Sequence, residues 1–231
     1  MNSNFSIFSF FRFLVFFLLP LSSQEILYEN NFEELPSLKT GHTPYDHGRI
    51  VPSDARLLNS SYVNGKSYTQ EFTVEFGKVS PYPHVIIGLY KGLKIYIGST
   101  EVEQGESYRQ KYRIGIMHFE QGNFIAETNN IRFTLGNRFK ISISYDYDKG
   151  VAQSIIKDLD KQEAVLWDSG EIECLPSAPE EIQFFIAADE SSVEPAGIFW
   201  EKNEKGRIRM ISQLNRYMLE VYVDDMKLLK K

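Results

Sequence analysis

Tyrosine and tryptophan side chains carry the chemistry in this sequence that is easiest to connect with a ligand. Their rings offer flat apolar faces on which the C–H groups of a sugar stack, and their polar atoms bind hydroxyls. The chain has 13 Tyr and 2 Trp residues, most of which we expect in the core and in cross-strand pairs. The candidates for ligand binding are Tyr90, Tyr96, Tyr112, Trp200 and, as a polar neighbour, His118.

Trp200 is the strongest of these candidates. It follows Pro195-Ala-Gly-Ile-Phe in a predicted loop, beside Glu201 and Lys202, where a core position explains a tryptophan least well. Tyr112 and His118 would share one face of a strand, whereas Arg113 would point the opposite way. A catalytic base such as Tyr112 or His118 would therefore not lie beside Arg113, which would have to neutralise the substrate. The sequence favours a structural role for His118 over catalysis.

Other kinds of catalytic or metal site have little support. The chain contains neither a Gly-x-Ser-x-Gly motif nor a glycine-rich loop between a strand and a helix. His42, Asp46 and His47 are of the residue types that bind zinc, but loop histidines without a fixed spacing are typically solvated.

Cys174 is the single cysteine, which excludes an intrachain disulfide and predicts a small apolar strand residue. The net charge of −6, with scattered Lys and Arg, does not favour nucleic acid as a partner.

Alternating hydrophobicity predicts the elements that must position these residues. Residues 72–76 place Phe72, Val74 and Phe76 on one face, as a half-buried strand requires. Residues 139–147 alternate in the same way, Asp148-Lys-Gly150 supplies a turn, and residues 151–157 return as the partner strand. We therefore predict a β-hairpin there.

The remainder of the chain predicts an all-β protein in one domain. There is no long amphipathic helix, and short strands at regular spacing are typical of a two-sheet sandwich or a barrel. Two stretches, 36–60 and 190–216, are predicted as long loops, and Asn129-Asn130 as a turn. The further predicted strands are residues 26–32, 85–90, 93–97, 112–119, 123–127, 131–135, 164–167, 182–188 and 219–228.

The first 24 residues have the order of a signal peptide. Arg12 precedes a nine-residue apolar stretch, 13–21, which is far short of a membrane span, and Ser22 and Ser23 follow it. We expect cleavage between Ser22 and Glu25, which leaves a domain of residues 25–231 that is secreted, periplasmic or on the cell surface, without a stable membrane span. A membrane anchor is the alternative, because Arg12 and the amino terminus are the only positive charges before the apolar stretch.

The two ends of the predicted domain resemble a known superfamily. The opening Ile26-Leu-Tyr-Glu-Asn-Asn-Phe32 and the closing Leu219-Glu-Val-Tyr-Val-Asp-Asp-Met-Lys-Leu228 are similar to the first and last strands of concanavalin A-like lectins and glucanases, including laminin G-like domains. The resemblance implies a two-sheet antiparallel jelly roll in which these two strands are neighbours. It thereby implies a structural calcium site, since hard cations prefer oxygen ligands. The implied ligands are Glu29, Asn30, Asp224 and Asp225, with a solvated acidic strand end as the alternative.

The resemblance also sets the expected function. Glucanases of this superfamily carry two catalytic carboxylates on one strand face, where both reach the same glycosidic bond. Glu101-Val-Glu103-Gln-Gly-Glu106 contains a glycine and is predicted as a loop, and Glu171-Ile-Glu173 lacks a third acid. We therefore expect a secreted carbohydrate-binding or surface-recognition module with a polysaccharide or glycan as partner. A polysaccharide-active hydrolase or lyase and a structural or protein-binding envelope protein are the alternatives.

Overall fold

The computed structural model describes most of the predicted domain. The described residues are 24–31, 37–38, 49–51, 63, 65–79, 84–89, 92–103, 109–118, 123–174, 184–189, 198–214 and 217–231. Residues 1–23 of the predicted signal peptide lie outside this described part of the chain. So do His42 and His47, the histidines of the possible zinc site. Among these residues, no helix combines the length and apolar character needed to cross a membrane.

Sixteen β-strands form the described part of the chain, and its helical content is a single 3-10 turn, Leu159–Lys161. The strands are β1 Ile26–Asn30, β2 Ser37–Leu38, β3 Arg49–Val51, β4 Tyr68–Val79, β5 His84–Leu89, β6 Leu93–Glu103, β7 Arg109–His118, β8 Phe124–Ile131, β9 Arg138–Asp146, β10 Val151–Asp158, β11 Ala164–Asp168, β12 Ile172–Glu173, β13 Phe184–Asp189, β14 Ile198–Lys202, β15 Ile208–Leu214 and β16 Tyr217–Lys230.

The strands form two antiparallel sheets. The larger sheet has the order β11-β10-β9-β4-β16-β15-β14, with β1 paired to β16 and β12 paired to β10. The smaller sheet has the order β2-β3-β13-β5-β6-β7-β8. The first and last described strands are therefore neighbours, since Glu29 of β1 lies opposite Lys227 of β16. This arrangement confirms the predicted position of the opening and closing segments.

One hydrophobic core fills the space between the two sheets. Phe72 and Ile141 of the larger sheet and Ile95 and Ile114 of the smaller sheet are all completely buried in the same cluster. Phe133, which follows β8, packs between the sheets, with its ring centroid 4.8 Å from Phe139 and 5.0 Å from Tyr112. The core confirms the predicted two-sheet sandwich, in which alternate side chains of each strand are removed from water.

The hairpin of β9 and β10 is also confirmed. Asp146 pairs with Val151, and the amide of Gly150 donates a 2.9 Å hydrogen bond to the carbonyl of Asp146. Gly150 has a φ of 63°, a left-handed conformation that glycine adopts at little cost. The turn is one residue longer than predicted, because β9 ends at Asp146 and Tyr147 belongs to the turn.

Several predicted boundaries are wrong. The predicted loop 190–216 contains β14 and β15, in which the consecutive apolar residues Ile198-Phe199-Trp200 and Met210-Ile211 interrupt the alternation. The predicted loop 36–60 contains β2 and β3. Glu101 and Glu103 lie within β6 rather than in a loop. The predicted turn at Asn129-Asn130 lies inside β8, where a register shift against β7 accommodates extra residues. The predicted strand 131–135 is absent because the chain turns there after Phe133 enters the core.

Candidate functional site

A row of polar side chains crosses the outer face of the larger sheet. Tyr222 of β16 lies directly opposite Glu75 of β4 and, on its other side, opposite Arg209 of β15. Arg209 in turn lies opposite Glu201 of β14. Because residues on both sides of Tyr222, Val221 and Val223, are buried in the core, alternation turns this row toward solvent.

Arg207 joins the row from the turn before β15. Its Nε and Nη2 donate to the carboxylate of Asp224 at 2.8 to 3.0 Å, and its Nη1 donates to Glu75 Oε2 at 2.6 Å. A register shift between Val223 and Asp225 interrupts the pairing of β16 with β4 at this point. Such a bulge re-aims a side chain, which here leaves Asp224 beside the guanidinium as a bidentate partner.

Arg209 is held by a second pair of carboxylates. Its Nε donates to Glu201 Oε1 at 2.6 Å, and its Nη2 contacts the same oxygen. Its Nη1 donates to Glu220 and also lies 3.2 Å from the hydroxyl of Tyr222, which itself donates to Glu220. Hydrogen bonds to carboxylates of the same chain therefore fix the orientation of both guanidinium groups.

The ring of Tyr222 lies between these charged groups. The guanidinium carbon of Arg207 is 4.7 Å from the ring centroid and that of Arg209 is 5.9 Å, both within cation–π range. Gly77 of β4 leaves space for the ring, since a Cβ there would lie 3.1 Å from Tyr222 Cε2 and 3.0 Å from Glu220 Oε2. The absence of a side chain at Gly77 thus allows Tyr222 and Glu220 to lie flat against the sheet.

These residues form the floor of an open depression of about 510 Å³. The turn between β14 and β15 forms its rim, where Asn203 Oδ1 accepts hydrogen bonds from the amides of Lys205 and Arg207. We call this surface the arginine–tyrosine depression. It is lined by Glu75, Glu201, Lys202, Asn203, Glu204, Lys205, Arg207, Arg209 and Tyr222.

The carboxylates keep both arginines charged. Burial alone would lower the pKa of Arg207, but the hydrogen bonds to Glu75 and Asp224 outweigh it and raise this pKa above its ordinary value. The hydrogen bond to Glu201 is the largest cause that raises the pKa of Arg209. Permanently protonated guanidiniums donate hydrogen bonds and do not carry protons, so they suit binding rather than acid–base chemistry.

The structure separates the aromatic residues that the sequence singled out. Tyr112 is 1% exposed, and burial raises the pKa of its hydroxyl. Ile114 and Ile116 on the same strand face also lie in the core, so this position does not favour a ligand-binding role for Tyr112, which stays a prediction. Trp200 lies in β14 and His118 ends β7, but their side chains, like all of Tyr90, lie outside the described part.

Tyr96 lies on the opposite side of the molecule, on the outer face of the smaller sheet. Its ring centroid is 5.2 Å from that of Phe124, in an edge-to-face arrangement. The guanidinium of Arg113 stacks 4.5 Å above Phe124, and its Nε donates to Glu127 at 2.9 Å. Tyr96 therefore keeps its place as a binding candidate, but it is not part of the arginine–tyrosine depression.

The predicted calcium ligands lie on β1 and β16, and two of them are paired with cations. Glu29 lies 2.5 Å from Lys227, and Asp224 is held by Arg207. Asn30 donates to the hydroxyl of Tyr28, and Asp225 lies opposite Thr73. Within the described residues, no group of three or more His, Cys, Asp or Glu side chains is placed to hold a metal ion. These residues do not fit a shared calcium site, and calcium stays a prediction.

Sequence reasoning missed the residues of the depression. Arg207 and Arg209, and likewise Glu220, Tyr222 and Asp224, alternate with apolar residues, so they mark polar strand faces in the sequence. That signal identifies an outward face but not its partner. The register that brings Glu75 to a turn more than one hundred residues later depends on the whole sheet.

Comparison with known proteins gives similarities only to solved structures. No family model and no curated protein matches the chain. The carbohydrate recognition domain of Emp47p is 10% identical, with a TM-score of 0.42 over 71% of this chain and 72% of that domain. Peanut lectin is 9% identical, with a TM-score of 0.43 over 71% of each chain. The CBM2 module of the evolved Dit protein of Lactobacillus casei BL23 phage J-1 is 11% identical, with a TM-score of 0.46 over 90% of this chain and 97% of the module.

Proposed function

We propose that the protein is a carbohydrate-binding or surface-recognition module that binds its ligand in the arginine–tyrosine depression. The observation that carries this proposal is the ring of Tyr222, held on an open concave surface between two arginines and their carboxylates. A sugar presents C–H groups to an aromatic ring and hydroxyls to planar polar groups around it. The depression supplies both kinds of contact in one place.

The network around Tyr222 also favours binding because it is already ordered. Each arginine is bonded to two carboxylates, so their side chains lose little freedom when a ligand arrives. Asn203, fixed by two backbone amides, offers a further amide group at the rim. A preformed polar surface of this kind discriminates among hydroxyl patterns at a small entropic cost.

The pattern of residues 1–24 supports export of the protein. Its partner in this proposal is therefore a polysaccharide or glycan outside the cytoplasm, in the periplasm, on a cell surface or in the medium. The described contacts of the depression involve side chains and need no metal ion.

A glycan array tests the proposal with the purified wild-type protein and three variants. We expect the wild type to bind and Tyr222→Ala to weaken binding about fivefold or more, since stacking on an aromatic ring contributes on the order of 1 kcal/mol and the arginines lose their support. Tyr222→Phe keeps the ring and guards against misfolding as the cause of the loss. Tyr147→Ala is the matched control, because this tyrosine is 44% exposed in the turn between β9 and β10, away from the depression.

Two results would contradict the proposal. The first is a folded wild-type protein that binds no glycan on the array. The second is glycan binding that Tyr222→Ala leaves unchanged, which would move the site to another surface such as that of Tyr96.

A further inference from the structure

Each guanidinium nitrogen on the floor of the arginine–tyrosine depression already donates a hydrogen bond within the chain. All three guanidinium nitrogens of Arg207 donate to Asp224 or Glu75. Those of Arg209 donate to Glu201 or Glu220. A ligand carboxylate or sulfate that sought either arginine would have to displace a chain carboxylate that is partly removed from water. Such a displacement leaves a charge without its partner.

The floor instead offers hydrogen-bond acceptors. Glu75 binds Arg207 through Oε2, and Glu201 binds Arg209 through Oε1. No described residue donates a hydrogen bond to Glu75 Oε1 or Glu201 Oε2. These two oxygens belong to ionised carboxylates, which accept stronger hydrogen bonds than neutral groups do. Sugar hydroxyls are donors that match them.

The charge of the floor also disfavours an acidic ligand. Glu75, Glu201, Glu220 and Asp224 face two arginines, which leaves an excess of negative charge. Lys202 and Lys205 at the rim are exposed, so salt screens their attraction for an anion. The carboxylates around Tyr222 would therefore repel an anionic ligand that contacts this ring.

The row of polar residues runs across the strands, which suggests how a ligand is oriented in the site. Glu75 and Glu201 stand on β4 and β14, which are separated by three strand-to-strand steps through β16 and β15. At about 4.8 Å per step their backbones are roughly 14 Å apart, with Tyr222 between them. A ligand that contacts residues of both strands therefore has to lie across the strands, as a short oligosaccharide can.

We infer that the ligand of the arginine–tyrosine depression is an uncharged oligosaccharide, which lies across the strands and donates hydroxyl hydrogen bonds to Glu75 and Glu201. This inference rests on the proposed function and specifies its ligand class. The site excludes uronate-rich and sulfated glycans, although it is lined by arginines.

The test uses an array that carries neutral oligosaccharides, from monosaccharides upward, beside uronate and sulfated oligosaccharides of matched length. We expect the wild-type protein to bind neutral oligosaccharides, to bind their monosaccharides at least about tenfold more weakly, and to bind the acidic series below detection. Uronate binding as tight as neutral binding, and lost in Tyr222→Ala, would overturn the inference and leave the proposed function standing. Binding of no glycan at all would overturn the proposed function itself.

Charge-neutralising variants test the acceptors directly. Glu75→Gln and Glu201→Gln should each weaken binding of a neutral oligosaccharide found on the array by on the order of tenfold, because each replaces an ionised acceptor by an amide. Glu127→Gln is the matched control, since Glu127 is a half-exposed partner of Arg113 on the outer face of the smaller sheet. If both depression variants bind like the control, with unchanged circular dichroism, the two carboxylates do not accept ligand hydroxyls.

Discussion

Asp158 shows how a completely buried carboxylate is tolerated in a sandwich of this kind. The side-chain amide of Asn137 donates to both of its oxygens, at 3.0 and 2.9 Å, and the backbone amide of Asp160 donates at 3.1 Å. Lys161 Nζ lies 3.4 Å away and supplies a positive charge. Asp158 thereby caps the 3-10 turn that links β10 to β11. The carboxylate is buried, but a side-chain amide, a backbone amide and a lysine all contact it.

Removal of either partner at this position should destabilise the fold. We expect Asp158→Ala to lower the free energy of unfolding by about 1–3 kcal/mol, because the amide of Asn137 then loses its acceptor inside the protein. Urea denaturation of Asp158→Ala, Asn137→Ala and the double variant measures the coupling between them. The exposed pair of Lys149 and Glu171 is the control, where Lys149→Ala should cost less than either single variant, because water screens an exposed ion pair. Strictly additive costs for Asp158 and Asn137 would contradict the assigned hydrogen bonds.

Single residues also show what the sequence could and could not predict. Tyr112 shares its strand face with Ile114 and Ile116, so the alternation that predicted the strand also implied a core position for this ring. The surroundings of Tyr222 could not be predicted from the alternation of its own strand. Its ring is framed by Arg207 and Arg209, and those contacts depend on the register of β15 against β16 and on the bulge at Asp224. Register is a property of the assembled sheet rather than of a short segment.

At the scale of elements, the hairpin of β9 and β10 was predictable because its signals are local. Alternation marks both strands, and Asp148-Lys-Gly150 marks the turn. The hairpin of β14 and β15 was missed although Asn203-Glu-Lys-Gly206 is a comparable turn sequence. Its outward residues carry the charges of the depression, and of its described side chains Ile208 is the one that lies in the core. The consecutive apolar residues Ile198-Phe199-Trp200 and Met210-Ile211 interrupt the period-two pattern by which a strand is recognised.

The turn of the first hairpin supports a prediction at this scale. Gly150→Ala should lower the free energy of unfolding by about 1 kcal/mol, because an alanine with a φ of 63° is strained while the nearest atom to its Cβ, Cys174 O, is 3.8 Å away and does not clash. Gly150→Asn should cost less, since asparagine adopts this conformation more readily. Thermal and urea unfolding of the two variants measure the difference. Equal costs would show that the backbone conformation of residue 150 is not what limits stability.

At the scale of the whole molecule, β16 holds the larger sheet together. It pairs with β4, β15 and the opening strand β1, and Lys230 joins Glu25 through a 2.8 Å ion pair. The resemblance of the end segments to concanavalin A-like proteins implied this closure, and general alternation implied the two sheets. The same strand carries Val221 and Val223 into the core and Tyr222 into the depression. The proposed site and the stability of the fold are therefore linked through one strand.

The same core sets the response of the whole molecule to alkaline pH. Tyr112 lies between the sheets, and burial raises the pKa of its hydroxyl above the ordinary value of about 10. In the unfolded chain this hydroxyl ionises near pH 10, whereas in the folded protein it stays protonated. Above pH 10 the unfolded state therefore binds fewer protons than the folded state. Stability that is fully present below pH 10 must fall as the pH rises beyond it.

We expect the contribution of Tyr112 to reduce the free energy of unfolding by at most about 1.4 kcal/mol per pH unit above pH 10. Urea denaturation between neutral pH and pH 11 measures this slope, and Tyr112→Phe, which cannot ionise, should show a shallower slope even if it is less stable at neutral pH. The phenolate absorbance of the native wild type should rise by one tyrosine more on unfolding than that of the variant. Identical slopes for the two proteins, or ionisation of Tyr112 in the native state near pH 10, would contradict its position in the shared core and with it the packing of the two sheets around that ring.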